Sequence, residues 1–238
     1  MCQALYVYPH MNEHLPPGQR ARSDFPRFGL LQYAHRFPRN VDRAELAVSG
    51  DVLTRALLES PLEGLARVEQ VSDFHCVTTW SHRSLRWSGV RFADFYHRRI
   101  APKINPAHCV VSVVLRGQDG YRSTLPLSDL LAAEVLLADT LDGLPLSMEH
   151  GAPLRLVAPA HYGYKSVKHL SHIEFWQGAA NVRKGALAFM DHPRARVWHE
   201  ERGRWLPGWL LRCAYRPLIR YAAAKFAKAA AEHASPKL

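Results

Sequence analysis

The chain has 238 residues, 47% hydrophobic and 22% charged, which suits one large core with at most an appendage. With 31 Lys and Arg against 21 acids, its formal charge of +10 favours an anionic partner: nucleic acid, a membrane surface, or an anionic cofactor or substrate. No stretch of membrane-spanning length runs free of charges, and "MCQALYVYPHMNEHLPPGQR" lacks the order of a secretory signal, so a cytoplasmic location is expected.

Residues 1–40 are rich in Pro, Arg and His and read as an arm over the domain. "RAELAVSGDV" alternates apolar and polar residues before Gly50 and predicts a strand and turn. "VLTRALLES" predicts a short helix stopped by Pro61, and "RVEQVSDF" a strand that delivers Cys76 at its end. "RFADFYHRRIA" has helical spacing and stops before Pro102. "CVVSVVL", Cys109 to Leu115, is a nearly unbroken apolar run and predicts a buried strand with Cys109 in the core. "LPLSDLLAAEVLLADTLDG" predicts mostly helix, ending in a turn at Asp142-Gly143. "APLRLVAP" reads as a strand bracketed by Pro153 and Pro159. "YGYKSVKHLSHIEFW" opens on a loop at Gly163 and becomes a strand with Val167, Ile173 and Phe175. Strands and short helices alternate without long crossover helices, so the fold class is mixed α+β.

Beyond Trp176 the composition changes. From Arg202 onward there are eight Lys or Arg residues and one acid, Glu232. Leu211, Tyr215, Leu218, Ala222 and Phe226 fall on one helical face, Arg212, Arg216 and Arg220 on a separate stripe, and Pro217 should kink or split the helix. Two readings stand: a helix packed on its own domain with a solvated basic face, or one lying on an anionic membrane surface or gripping a partner. The expected organisation is an arm at 1–40, a main domain at 41–200 and a basic helical tail at 201–238.

Cys2, Cys76, Cys109 and Cys213 are far apart, without CxxC or finger spacing, and are expected as free thiols. Cys76 follows a histidine and precedes Trp80 and Trp87; a small buried filler and an offered sulfur are both open on spacing alone. The 14 histidines have no zinc spacing: there is no HExxH, and His169 and His172 would alternate along a strand. "EHGAPLRLVAPAHYGYKSVKHL" gathers His150, Arg155, Lys165, Ser166 and Lys168 beside Gly151 and Gly163. Such a loop either cradles a phosphate or is an ordinary solvated surface.

In order, "DFHCVTTWS…LRWSGV" and "DGYRSTLPLSDLLAAEVLLADTLDGLPLSMEHGAPLRLVAPAHYGYKSVKHLSHIEF" resemble the molybdopterin-binding domain of the sulfite oxidase family, closest to its short bacterial members. The resemblance covers roughly Val41 to Trp176, with "HPRARVWHEERG" a weaker continuation. It implies the mixed-sheet α+β fold of that family, a molybdenum–molybdopterin cofactor and oxygen-atom transfer on a small sulfur- or nitrogen-containing substrate. Electrons would pass to a separate partner, because no haem domain is present. By carry-over, Cys76 would be the sole protein thiolate on the metal, which suits a soft donor. His150, Arg155, Ser166, Val167 and Lys168 would hold the pterin and its phosphate. Tyr121 would lie beside the reacting oxygen, as the second catalytic residue after Cys76. His35 and Arg36 of the arm are matched to further cofactor contacts, and Gly117 falls where some members use a side chain that glycine lacks. The second domain of the animal and plant enzymes is missing, which argues against sulfite, since that domain supplies part of the sulfite-binding arginine cluster. No nucleic acid is expected. The alternative is a non-catalytic basic protein that binds nucleic acid or an anionic membrane through its charge and tail, which leaves the order of these motifs unexplained.

Overall fold

The computed structural model describes residues 5–7, 14–51, 54–105, 107–178 and 191–235. The sequence supplies short, β-branched and Leu-rich strands separated by Gly, Pro and Asp turns, and these pair into two sheets. The first sheet is built on the hairpin of β5 (Arg67–His75) and β6 (Trp80–Arg91), which runs in antiparallel register from Arg67 opposite Val90 to His75 opposite Ser81. On the far side of β6 lies β9 (Leu136–Leu141), flanked by β10 (Leu144–Pro145) and β11 (Arg155–Val157). The arm is stitched in parallel to this sheet: β1 (Leu5–Val7) pairs β5, and β2 (Arg20–Ala21) pairs β6. The second sheet has the order β4 (Ala56–Leu58), β3 (Leu46–Gly50), β12 (Leu170–Trp176), β7 (Ser112–Gly117), β8 (Arg122–Pro126).

One apolar cluster joins the sheets: Val90, Leu137 and Leu156 from the first meet Leu46, Val113, Leu115, Ile173 and Phe175 from the second. Phe92 and Phe95 of α1 (Phe92–Phe95) plug one end. Two further helices, α3 (Gly208–Tyr215) and α4 (Leu218–Ala234), follow the sheets; α2 is the single turn Leu127–Leu130. This is the mixed α+β architecture read from the sequence.

Several local expectations fail for one reason. The segment expected as a helix before Pro61 contains β4, because Leu58 to Ala56 hydrogen-bond antiparallel to Leu46 to Val48. The long helix expected over 125–143 is only α2, and Leu136, Leu137 and Ala138 are a strand buried on both faces. Ala- and Leu-rich runs favour helix in isolation, but ladder pairing and burial override that weak preference. Cys109 is exposed rather than in the core, because β7 starts three residues later at Ser112. The Asp142-Gly143 turn is present, with both residues at positive φ, 51° and 83°. Pro217 does split the tail, with α3 ending at Tyr215 and α4 starting at Leu218. Leu211, Tyr215, Ala222 and Phe226 are buried as one face, while Leu218 is 47% exposed.

His169 closes the loop before β12 at φ 53°, with Nδ1 donating to Ala152 O at 2.7 Å. Burial holds its imidazole neutral and lowers its pKa from 6.5 to about 4. The unfolded chain takes up a proton near pH 6.5 and the folded one only near 4, so this contribution is complete above pH 6.5 and is lost as the pH falls towards 4. Denaturant titrations should show a loss of up to roughly 3 kcal/mol over that window. Part of this slope should vanish in His169→Asn, which tolerates the left-handed backbone.

Candidate functional site

The β5–β6 hairpin does more than hold a sheet together. Its tip, residues 76–79, is closed by Cys76 N–H donating to Trp80 O at 2.8 Å and Thr79 N–H donating to Cys76 O at 3.1 Å, with Thr79 at φ 82°. This puts the Cys76 sulfur at the wall of a cavity of about 1010 Å³, counting its open mouth. The residue is only 8% exposed, and Sγ lies 3.1 Å from Thr78 Oγ1. Burial pushes the Cys76 thiol up; the Thr78 hydroxyl and the charges of Arg202 and Lys168 pull it the other way.

Two distant segments lock this tip. Gln19 of the arm donates Nε2–H to Cys76 O at 3.0 Å and accepts from Ser81 Oγ at 3.1 Å. Arg202, fully buried, donates to Val77 O at 2.6 Å and to Pro17 O at 2.9 Å, and its guanidinium lies 4.9 Å from the centre of the Tyr162 ring.

A buried cation and a half-buried one cluster on the side fed by β11 and the loop before β12. Arg155 has no exposure; it donates Nη1–H to His150 O at 2.7 Å and rests over the Trp87 ring at 4.8 Å. It donates to the backbone carbonyls of His150, Leu156 and Ser166, and burial lowers its pKa to about 9. Lys168 donates to Glu149 O at 2.7 Å; burial first, then the charges of Arg155 and Arg27, lowers it to about 7. Both groups strain against their own charge, and a bound anion would relieve both.

Of the residues singled out from the sequence, Cys76, Tyr121, Ser166 and Lys168 line the cavity together. Tyr121 donates its hydroxyl to Tyr164 O at 2.7 Å, and burial raises its pKa further, so Oη keeps its proton. His150 and Arg155 stand behind the wall: the His150 ring stacks on Phe25 at 4.9 Å, and Arg155 ties the backbone at 150 to that at 166. Val167 is core, 1% exposed. His35 and Arg36 do not line the cavity. His35 is exposed and faces Glu232 at 3.8 Å, while the Arg36 guanidinium sits 4.9 Å from the Tyr33 ring. In their place the arm offers Phe25, Arg27 and Phe28. Gly117, at the end of β7, has its Cβ position 2.5 Å from Lys168 O, so any side chain there would displace the lysine's backbone.

Three further residues line the cavity without having been assigned to it from the sequence. Arg27 donates to Ala34 O at 2.6 Å and Arg36 O at 2.7 Å, and it is sandwiched between Phe37 at 4.3 Å and Phe226 at 5.0 Å. Phe226 comes from α4, and Trp80 points an indole N–H with no hydrogen-bond partner from a buried wall position. The "DFPRFG" arginine and aromatics were a signal of sorts, but nothing local says that a tail helix meets them.

A molybdopterin cofactor needs a soft donor, cations for its phosphate and a slot for its rings. The buried thiol, the cations Arg27, Lys168 and Arg155, which outnumber the cavity carboxylate Asp119, and the orphan Trp80 N–H meet these needs. Gly163 on the same wall is fixed by packing: a Cβ there would fall 2.0 Å from the Phe74 ring. Among the described residues there is no cluster of three His, Cys, Asp or Glu that could hold a metal alone, and Cys76 is the one sulfur donor among the residues lining the cavity.

Residues 34–182, more than half of the chain, match the family model of the oxidoreductase molybdopterin binding domain. The chain belongs to this family, the molybdopterin domain of sulfite oxidase-type enzymes, and it is an oxidoreductase. It is similar to the uncharacterized oxidoreductase YuiH of Bacillus subtilis, 33% identical over 198 residues, covering 80% of this chain and 92% of that one. It is also similar to the protein-methionine-sulfoxide reductase catalytic subunit MsrP of Xanthomonas axonopodis pv. citri, 29% identical over 174 residues. That match covers 63% of this chain and 52% of MsrP, so the chain spans about half of that relative. The sulfane dehydrogenase SoxCD of Paracoccus pantotrophus shares the fold, with a TM-score of 0.51 at 20% identity, over 65% of this chain and 44% of the other. Family membership retires the alternative of a non-catalytic basic binder.

Loss of one half-buried cation should be visible without any assay of turnover. Lys168→Met keeps the stem and removes the charge; the purified variant should carry at least about tenfold less pterin per chain, read by fluorescence after acid release. Equal pterin content would show that Lys168 does not hold the anion.

Proposed function

We propose that this chain is a molybdenum-cofactor oxidoreductase that takes an oxygen atom from, or gives one to, a small neutral sulfur or nitrogen compound, with sulfoxides first among the substrates. The observation that carries the reading is the Cys76 sulfur, buried at the wall of a cavity that Arg27 and Lys168 line and Arg155 backs, with Asp119 as the carboxylate on that wall. When bound, the cofactor supplies two-electron oxygen-atom transfer; the rest is the work of side chains.

Cys76 would hold the metal through its thiolate, and Arg155 and Lys168 would neutralise the phosphate. Phe25, Phe28, Trp80 and Phe226 exclude water from the mouth and offer an aromatic surface to alkyl or aryl groups. Tyr121 Oη keeps its proton, and it can donate towards a substrate oxygen by releasing the Tyr164 carbonyl. In the reducing direction a sulfoxide, two electrons and two protons give a thioether and water. The electrons come from a separate redox partner, in keeping with the name of the relative MsrP as a catalytic subunit. Arg27 is, among the described residues, the one arginine on the cavity wall, a poor match to an oxyanion such as sulfite, and its sandwiching between two phenyl rings ties it to the arm. A reducing cytoplasmic setting belongs to the same proposal, supported by the free thiols of Cys76, Cys109 and Cys213.

Elemental analysis should find close to one molybdenum per chain, and Cys76→Ser should lose it. Viologen-linked assays of the loaded protein should then show reduction of methionine sulfoxide or dimethyl sulfoxide, with no dye-linked oxidation of sulfite. A loaded protein that is silent on sulfoxides and N-oxides, or that turns over sulfite, would overturn the proposed substrate class. Phe226→Ala should widen the wall beside Phe28, so that KM for an aryl sulfoxide falls several-fold relative to dimethyl sulfoxide at unchanged molybdenum content. An unchanged ratio would remove Phe226 from the substrate path.

A further inference from the structure

The tail helices have two faces with different chemistry. Inward, Leu211, Tyr215, Ala222, Phe226 and Ala229 are buried against the domain. Outward, the segment leading into α3 and the two helices expose Trp205 (72%), Trp209 (57%), Leu210 (42%), Leu218 (47%) and Tyr221 (58%). Exposed arginines flank these apolar groups: Arg204, Arg216 and Arg220. From Arg202 onward the chain has eight basic residues and a single acid, Glu232, which sits near the far end of α4 beside His35 and Lys228. The acids nearest the start of the tail, Glu200 and Glu201, face inward to Arg202, Arg212 and Arg196, and so do not offset the outer charge.

We propose that this outer face of α3 and α4 docks on an anionic lipid bilayer. Exposed indoles and a phenol are costly in water yet suit the boundary between headgroups and acyl chains, where an aromatic body is apolar and its N–H or O–H stays wet. Arginines at the same level meet lipid phosphates, and the apolar groups between them enter the boundary. Among the described residues no helix is long and apolar enough to cross a membrane, so the geometry is that of a helix pair lying in the interface plane. The charge complementarity selects lipid: a protein groove that took this face would need to be both apolar and densely acidic. Because α4 also supplies Phe226 to the cavity wall, a docked bilayer would lie about one helix diameter, ~10 Å, from that wall. The inference stands on the tail alone and does not depend on the cofactor or the substrate.

The test is co-sedimentation of the full-length protein with vesicles of phosphatidylcholine alone and of phosphatidylcholine mixed with phosphatidylglycerol. Binding should appear only with the mixture and should weaken as salt rises. Trp205→Ser with Trp209→Ser, and separately Arg216→Gln with Arg220→Gln, should each lower the partition by about tenfold or more at unchanged far-ultraviolet circular dichroism. Tryptophan quenching by brominated lipid should be strong in the parent and lost in the double tryptophan variant. No sedimentation with anionic vesicles at low salt would overturn the proposal. So would equal partition of parent and both variants, or binding that appears only when a membrane protein is added to the vesicles.

Discussion

The structure depends on keeping one sulfur atom and a group of positive charges out of water at the same place. Arg155 has no exposure and no carboxylate among its acceptors, while Lys168 is pulled down to about 7. Desolvating cations this way is unfavourable unless something negative completes the site. The fold reduces the penalty with backbone carbonyls, from His150, Leu156 and Ser166 for the arginine and from Glu149 for the lysine. Those bonds also stiffen the loops between β10, β11 and β12, so the charges that await an anion shape the cavity that receives it. Neutral partners limit the cost without satisfying the charge of Arg155, and only Asp119 on the cavity wall and Glu149 beside it offset Lys168 and Arg27, which is the basis on which we assign the phosphate to this side.

Much of the structure that positions Cys76 lies outside the stretch that carries the family likeness, residues 34–182. Gln19 reaches the Cys76 carbonyl from the arm, and Arg202 reaches the carbonyls of Val77 and Pro17 from beyond the domain's last strand. Arg27 and Phe28 then meet Phe226 of α4, stacked on Phe28 at 6.3 Å. Arm, hairpin and tail thus form one closed set of contacts around the sulfur, and loosening any one of them would reach the cavity through the others.

The cysteine, Tyr121 and the "KSVK" loop were named through the family resemblance, and the structure brings Cys76, Tyr121, Ser166 and Lys168 to one cavity from a hairpin tip, a turn after β7 and a loop before β12. Arg155 was legible as a residue of that constellation although it stands one layer back. His35 and Arg36 were misplaced for a physical reason. The arm is short of periodic pattern, and the residue that faces the cavity is set by a long-range cation–π sandwich of Arg27 between Phe37 and Phe226. No spacing within the arm encodes a partner some two hundred positions away. The missed strands β4 and β9 are the same lesson in another form, since Leu57, Leu58, Leu136 and Leu137 are equally good helix formers until a neighbouring strand offers its ladder.

The tail shows how one helical period can serve two surfaces. Burial of Leu211, Tyr215, Ala222, Phe226 and Ala229 repeats at steps of four, seven, four and three, which keeps one line of contact with the arm even though Pro217 breaks the helix. A single amphipathic helix in water would show a polar outer face; here the outer side is aromatic and basic together. Simple solubility does not call for Trp205 at 72% exposure, nor does packing, because Phe226 and Ala229 already complete the inner contact. The inner face therefore accounts for the tail's position over the site, and the outer face is left for the bilayer docking we propose.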